Sequence, residues 1–383
     1  HRALSEHKTL SISWSHYPNF DIKHDLFRYM CKYIAVLIIR ILLMSLTRRR
    51  FTQILASTLF LHHLPSFAQS VKFWASLTLP EAQNITRIVS AGAPADLLLL
   101  AVAPEKMVGF SSFDFARQAL IPLPEHIRQF PRLGRLAGRA STLSLEGLMA
   151  LHPDLVVDCG NTDETWISQA RQVSEQTQIP WLLLNGKLEQ SAEQLTTLGK
   201  TLGEEHRATE QANLASRFVG EAQAFATSPA ANLSFYAARG PRGLETGLQG
   251  SLHTEAAELL GLHNVAQIAD RHGLTQVSME NLLRWQPDII LVQEAVTADF
   301  IRRDPLWQGV KAVAEQRILF LSGLPFGWLD APPGINRLLG LRRLHAWLDP
   351  AINRQFKSDI QHYAQLFWHC SLSDADYQKL VAS

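Results

Sequence analysis

The feature that most limits how this chain can fold is a phrase written twice. Ser144-Leu-Glu-Gly-Leu-Met-Ala-Leu-His-Pro-Asp154 runs into the apolar Leu155-Val156-Val157, and 134 residues later Ser278-Met-Glu-Asn-Leu-Leu-Arg-Trp-Gln-Pro-Asp288 runs into Ile289-Ile290-Leu291-Val292. Over the fifteen positions from Ser144 to Asp158 the Ser, the Glu, one Leu, the Pro and the Asp recur, and the apolar pattern is kept elsewhere. Each copy reads as a short helix stopped by a proline, then a strand apolar enough to be buried on both faces. A unit repeated at this distance predicts two lobes built on one plan.

The surroundings of both copies fit alternating strands and helices. Arg87-Ile88-Val89-Ser90 reads as a strand, Gly92-Ala93-Pro94 as a turn, Ala95 to Val102 as an apolar helix and Met107 to Phe110 as a second strand, a βαβ unit. A helix and the strand Trp181 to Leu184 follow the first copy. Residues from about Leu188 to Ala226 read as helix: Leu195, Leu198, Leu202, Ala212, Ala215 and Val219 form an apolar stripe, no proline intervenes, and only Gly199 and Gly203 weaken the middle. Pro229 ends it, and the strand Leu233 to Ala238 opens the second lobe. The boundaries expected are an N-terminal lobe at 69–187, a linking helix at 188–228 and a C-terminal lobe at 229–383.

Residues 1–43 show no steady period and read as an upstream extension foreign to the fold. Residues 44–68 have the anatomy of an export signal: a charged Thr47-Arg48-Arg49-Arg50-Phe51, an apolar run from Ile54 to Leu64 and a small-residue site Ser66-Phe67-Ala68, with cleavage expected after Ala68. The paired arginines ahead of Phe51 resemble a twin-arginine signal, with an ordinary secretory signal as the alternative. The apolar run is shorter than the ~20 residues a spanning helix needs, so a soluble periplasmic protein is expected.

Of the 36 Lys/Arg and 35 Asp/Glu, nine and three fall in residues 1–68, which leaves 27 basic against 32 acidic residues and a net charge of about −5. That balance argues against nucleic acid as a partner. Beyond residue 68 only Cys159 and Cys370 remain; an exported protein could join them, but a chain of this length needs no staple, and free thiols are expected.

Four phrases in this order resemble a known family: the strand, turn and helix around Ser90-Ala-Gly-Ala-Pro94, the doubled phrase, the linking helix, and Asp304-Pro-Leu-Trp307, Val310-Lys-Ala-Val313 and Arg317-Ile-Leu-Phe320 near the end. The chain is similar to the periplasmic substrate-binding proteins of iron–siderophore, haem and vitamin B12 ABC importers. The resemblance implies an α/β fold of two Rossmann-like lobes with parallel sheets, joined by one long connecting helix, with little hinge closure and a ligand cleft between the lobes. It implies a monomer without a cofactor that takes a small-molecule metal chelate, such as an iron(III)–siderophore, to an ABC permease dimer in the inner membrane. In this resemblance Phe113, Phe115 and Arg135 match first-lobe loops that contact ligand, and Glu146 and Glu280 match acidic residues that dock into arginine pockets on the two permease subunits. Those glutamates also suit the first turn of a helix by charge alone, and the two roles are compatible.

Open parallel sheets bind ligands beyond the carboxyl ends of their strands, which places the loops after Ser90, Phe110, Asp158, Ala238 and Phe320 along the cleft. Arg239-Gly-Pro-Arg242-Gly243-Leu-Glu245 is the most suggestive: its glycines would let backbone approach a ligand, and guanidinium groups suit an anionic one. Arg242 reads equally as a solvated surface arginine. Phe326, Trp328 and Asp330 share a proline-stiffened loop in which the aromatics would wall a groove, and Asp330 either lines it or caps the helix starting at Asn336. Arg271 and His272, in a polar loop, are further candidates. His253 is a weak candidate for a metal ligand, because metal sites need several ligands at set spacing and neither H-E-x-x-H nor C-x-x-C occurs. The chain also lacks a G-x-S-x-G elbow, so the rival of an exported enzyme on the same scaffold has no motif behind it. Among other ligands of such a scaffold, molybdate or tungstate, haem and cobalamin stay open.

Overall fold

The computed structural model describes residues 72–382 apart from 118–120, 138–140, 270 and 322. The expected extension and export signal lie outside the described residues. In chain order the first lobe contributes β1 (Phe73–Ser76), β2 (Ile88–Ser90), α1 (Ala93–Val102), α2 (Leu145–Ala150), β3 (Leu155–Gly160), α3 (Glu164–Thr177) and β4 (Trp181–Asn185). Two helices follow, α4 (Ser191–Leu202) and α5 (Glu205–Phe225). The second lobe holds β5 (Ser234–Ala238), β6 (Glu245–Gly247), β7 (His263–Asn264), β8 (Leu274–Gln276), α6 (Met279–Trp285), β9 (Ile289–Val292), α7 (Ala295–Arg303), β10 (Ile318–Phe320), α8 (Arg337–Leu348), α9 (Pro350–Phe367) and α10 (Asp374–Ala382).

The sheets are ordered β1-β4-β3-β2 and β10-β9-β5-β7. Every pairing in them is parallel except that of β1, which runs antiparallel along the edge of β4. The small pair β6 and β8 is an antiparallel addition to the second lobe.

Side chains on a strand alternate between faces, and here the alternation divides the core. Val89, Val156 and Leu183 face one cluster within the first lobe, and Tyr236, Ala238 and Ile290 face another within the second. Their neighbours Ile88, Leu155, Val157, Leu182 and Leu184, together with Phe235, Ala237, Ile289 and Leu291, belong to one large cluster shared by both lobes and the linking helices. Burial on both faces is why these strands are continuous apolar runs.

The repeated phrase is a repeated piece of structure. Ser144 Oγ accepts the Gly147 amide at 3.0 Å and Ser278 Oγ accepts the Asn281 amide at 3.1 Å, capping α2 and α6. Each helix ends on a left-handed residue before the proline, His152 (φ 46°) and Gln286 (φ 48°). The aspartate then ties the returning chain to the start of the neighbouring strand. Asp154 Oδ2 accepts the amides of Thr86 and Arg87 at 2.8 and 2.9 Å, and Asp288 Oδ2 accepts the Ser234 amide at 2.8 Å. Burial pushes both carboxyls up, but the Thr86 and Arg87 amides outweigh it at Asp154, as do Lys311 and Ser234 at Asp288; both carboxyls lie below the usual range.

Two expected elements come out differently. The linking segment breaks at Gly203 (φ +75°), and α4 and α5 fold back flank to flank as a hairpin, packed so closely that a β-carbon at Gly199 would overlap that of Ala208. The 21-residue α5 carries the connection. Its Gln211 Nε2 donates to Ala101 O of α1 at 2.7 Å and to Leu366 O of α9 at 2.8 Å, joining both lobes at one buried amide. Met107 to Phe110 is no strand. It touches β2 only at the bridge Ile88 to Met107, and Phe110 exchanges hydrogen bonds with Pro131 and Leu133 instead.

Cys159 and Cys370 are free and buried. Burial, with Asp158 beside Cys159 and Asp376 near Cys370, pushes each thiol up to about 12, which leaves both as inert packing groups. No helix among the described residues is long and apolar enough to cross a membrane.

Candidate functional site

The carboxyl ends of the two parallel sheets face one another. Gly186, just beyond β4, accepts a hydrogen bond from Arg337 of the second lobe, and Gly334 lies against Pro94 at the start of α1. Arg337 is almost wholly buried, donating also to Gly334 O at 3.0 Å and to Leu252 O and Glu255 Oε2 at 2.7 Å each. The same Glu255 oxygen accepts the Leu188 amide at 2.8 Å. One guanidinium thus pins the end of β4 to two loops of the opposite lobe.

In the second lobe three loops leaving adjacent strands meet at Asp330. Arg239, the first residue after β5, donates to Asp330 Oδ2; Gln293, the first residue after β9, donates to Oδ1; and His253 Nδ1 lies 2.7 Å from Oδ2. Asp330 itself is buried. A carboxylate can only accept, so His253 Nδ1 donates to it, and Nε2 is the ring nitrogen that Asp330 does not engage. Arg239 Nε is 3.3 Å from Glu245 Oε1, and the two residues exchange backbone hydrogen bonds that close the loop between them.

The first lobe presents phenylalanines. Phe113 stacks on Phe115 with centroids 5.4 Å apart, and Phe110 and Phe130 stand edge-on behind them. Phe326 reaches across from the second lobe to within 5.6 Å of Phe113 and contacts Trp368 edge-on at 5.8 Å. The loop carrying Phe113 hangs on Asp96 of α1, whose carboxylate accepts the Ser111 amide and hydroxyl at 2.8 Å each and the Ser112 amide at 3.1 Å. Burial pushes the Asp96 carboxyl up to about 6 against those hydrogen bonds.

Several expected site residues stand elsewhere. Trp328, read as a groove wall, is 1% exposed and packs on Gly323, where any β-carbon would overlap its indole. Phe326 is likewise drawn into the aromatic packing between the lobes. Asp330 does not cap a helix: α8 starts at Arg337, and Asn336 makes no side-chain cap there. Gly243 (φ +70°) serves packing rather than backbone approach to a ligand, since a β-carbon there would lie 2.9 Å from Trp307. Arg135 is half-buried, while Arg242, Arg271 and His272 are exposed, and none of the three arginines makes an ion pair among the described residues.

No group of three His, Cys, Asp or Glu side chains among the described residues is placed to hold a metal ion. Strand-end loops of the two lobes thus meet, with charged and polar side chains gathered on the second lobe and aromatic ones on the first. A family model for periplasmic binding proteins matches residues 89–323.

The chain belongs to the periplasmic binding protein family.

Solved structures agree. An ABC transporter solute-binding protein from Sulfurospirillum deleyianum superposes with TM-score 0.71 at 25% identity over 80% of this chain and 96% of that one. The molybdate-binding protein MolA of Haemophilus influenzae (TM-score 0.59, 20% identity, 77% and 96% covered) and the vitamin B12-binding protein BtuF of Vibrio cholerae (0.53, 20%, 71% and 99%) share the fold. No curated protein sequence matches. This is a binding protein of an ABC importer and not an enzyme; family membership implies a periplasmic location, and proteins of this type deliver small-molecule ligands to ABC permeases.

For this binding protein, sequence reasoning missed Gln293, Asp96 and Arg337. Gln293 and Asp96 left a signal: a polar residue directly after an apolar strand, and a lone carboxylate inside the apolar helix Ala95 to Val102. Arg337 left none, because its partners are 82 and 151 residues away.

Proposed function

We propose that this binding protein captures an iron(III)–siderophore or similar metal chelate in the groove between its lobes and hands it to an ABC permease. The observation that carries the reading is the His253–Asp330–Arg239 constellation. A carboxylate that orients an imidazole and leaves its other nitrogen open is the arrangement that supports histidine as a metal ligand. A single histidine cannot hold a free ion. A chelate brings most of its own ligands, so one protein nitrogen suffices. Arg239 is already neutralised by Asp330 and Glu245, so attraction for an anionic chelate falls to Arg135, Arg242 and Arg271, which make no ion pair among the described residues. Phe113, which stays half-buried in front of the fully packed Phe115, offers the apolar face that the organic part of a chelate needs.

In this reading Glu146 and Glu280 are the permease anchors, the protein works as a monomer, and Arg48 and Arg49 direct export by the twin-arginine route. Tryptophan fluorescence of residues 69–383, titrated with ferric catecholate, ferric hydroxamate, haem, cyanocobalamin and molybdate, tests the ligand class. A ferric chelate should quench saturably at micromolar concentration or below, and His253→Ala should weaken it by at least about tenfold, the scale of one lost charged or metal contact. Saturation by molybdate alone, abolished by Arg242→Ala and Arg271→Ala, would select an oxyanion instead. Silence toward all five sinks the proposal.

A further inference from the structure

Of the eight large hydrophobic residues that stay exposed among the described residues, two hold the same place in the repeated phrase. Met149 is five positions after Ser144 and Leu283 is five after Ser278; they are 44% and 39% exposed. One exposed apolar side chain needs no explanation. Two at equivalent positions, on helices fixed by the same serine cap, the same wholly buried leucine (Leu148 and Leu282) and the same aspartate tie, point outward in equivalent frames.

Each lies three residues after a glutamate, Glu146 or Glu280, and residues three apart share a helix face. Both glutamates are exposed, and neither makes an ion pair or side-chain hydrogen bond among the described residues. Each helix therefore presents a free carboxylate beside an apolar side chain, once per lobe. The residue before each cap is tied toward the ligand loops by backbone hydrogen bonds: the Leu143 amide to Arg135 O at 3.1 Å, and the Val277 amide to Leu244 O, next to Glu245, at 2.8 Å. The two faces thus adjoin the groove rather than the far ends of the lobes.

We infer that Met149 and Leu283 complete two matched docking patches, each a carboxylate plus an apolar contact, and that the occupant is the transmembrane permease. Charge complementarity calls for a basic group on the partner opposite each glutamate, with an apolar pocket one helical turn along. The duplication calls for a partner with two like halves, as a permease dimer has. This inference rests on the docking reading of Glu146 and Glu280. It adds that the apolar pair, insensitive to salt, supplies the lasting part of the contact while the carboxylates steer approach.

The test is surface plasmon resonance of the mature protein on its cognate permease in lipid nanodiscs. Met149→Ser and Leu283→Ser should each weaken binding about fivefold to tenfold, chiefly in the off-rate, and the double variant more. Val296→Ser removes the most exposed of the eight, at 70%, from a helix outside the repeat, and should change nothing. Melting temperature and ferric-chelate quenching should match wild type for all of these variants. If the apolar variants bind within twofold of wild type while Glu146→Gln/Glu280→Gln loses binding, the apolar pair has no part in docking and the inference falls. If the glutamate pair also binds like wild type, the docking reading itself falls.

Discussion

The two lobes share a frame and differ in what they hang on it. In each, a serine-capped helix ends on a left-handed residue, proline follows, and an aspartate ties the chain to the next strand. Beyond the strand ends the likeness stops. The first lobe offers packed phenylalanines on a loop held by Asp96, whereas the second offers Arg239, His253, Gln293 and Glu245 gathered around Asp330. The likeness thus covers what folds the lobe and stops at the loops proposed to meet the ligand, so effects on stability should come in matched pairs and effects on binding should not.

Three changes would break or sharpen that contrast. Asp330→Ala has the largest expected effect: it takes the buried carboxylate from Arg239, His253 and Gln293 and leaves Arg239 only the longer Glu245 contact, at a cost of about 3–5 kcal/mol for a broken buried pair, and it should abolish chelate quenching; thermal melts and the titration check both. It has no counterpart in the first lobe. Next, Asp154→Ala and Asp288→Ala should each cost about 2 kcal/mol in urea unfolding and agree within about 1 kcal/mol, since each removes a charged acceptor from the backbone amides at a strand start. Because both folded-state carboxyls lie below the usual range, their contribution is complete above the unfolded value of 3.8 and fades as pH falls through the folded one. The mutant deficits should therefore shrink below about pH 4; deficits unchanged at pH 3 would sever the tie from the charge. Smallest, Ser144→Ala and Ser278→Ala should each cost about 1 kcal/mol, the worth of a helix cap, with chelate affinity unchanged. A large inequality within either pair would mean that the frames are alike in shape only.

Much of the frame was legible because it is local. The proline stop and the apolar strand lie within a few residues of each other, and the spacing of the two copies announces two lobes; the serine caps, equally local, came only with the structure. The linking hairpin was half legible: Gly203 stood out, but only the close approach of Gly199 to Ala208 shows that the chain turns back there. The site was legible by loop and not by side chain. Arg239 and Asp330 were each found, yet nothing local says that they neutralise each other across 91 residues. Trp328 looked free because it has no helical period, and it is buried because Gly323, five residues away, makes room for its indole.

Arg337 leaves this receptor with a problem of release. Parting the lobes would strip a buried guanidinium of Gly186 at one end, and at about 1.5–3 kcal/mol for a hydrogen bond to a charged group the parted form is rarer than roughly one molecule in ten. A ligand seated in the groove gains nothing from spontaneous gaping and leaves only by its own dissociation. In the proposed function rapid unloading falls to the permease, which has to break the Arg337 contact to part the lobes.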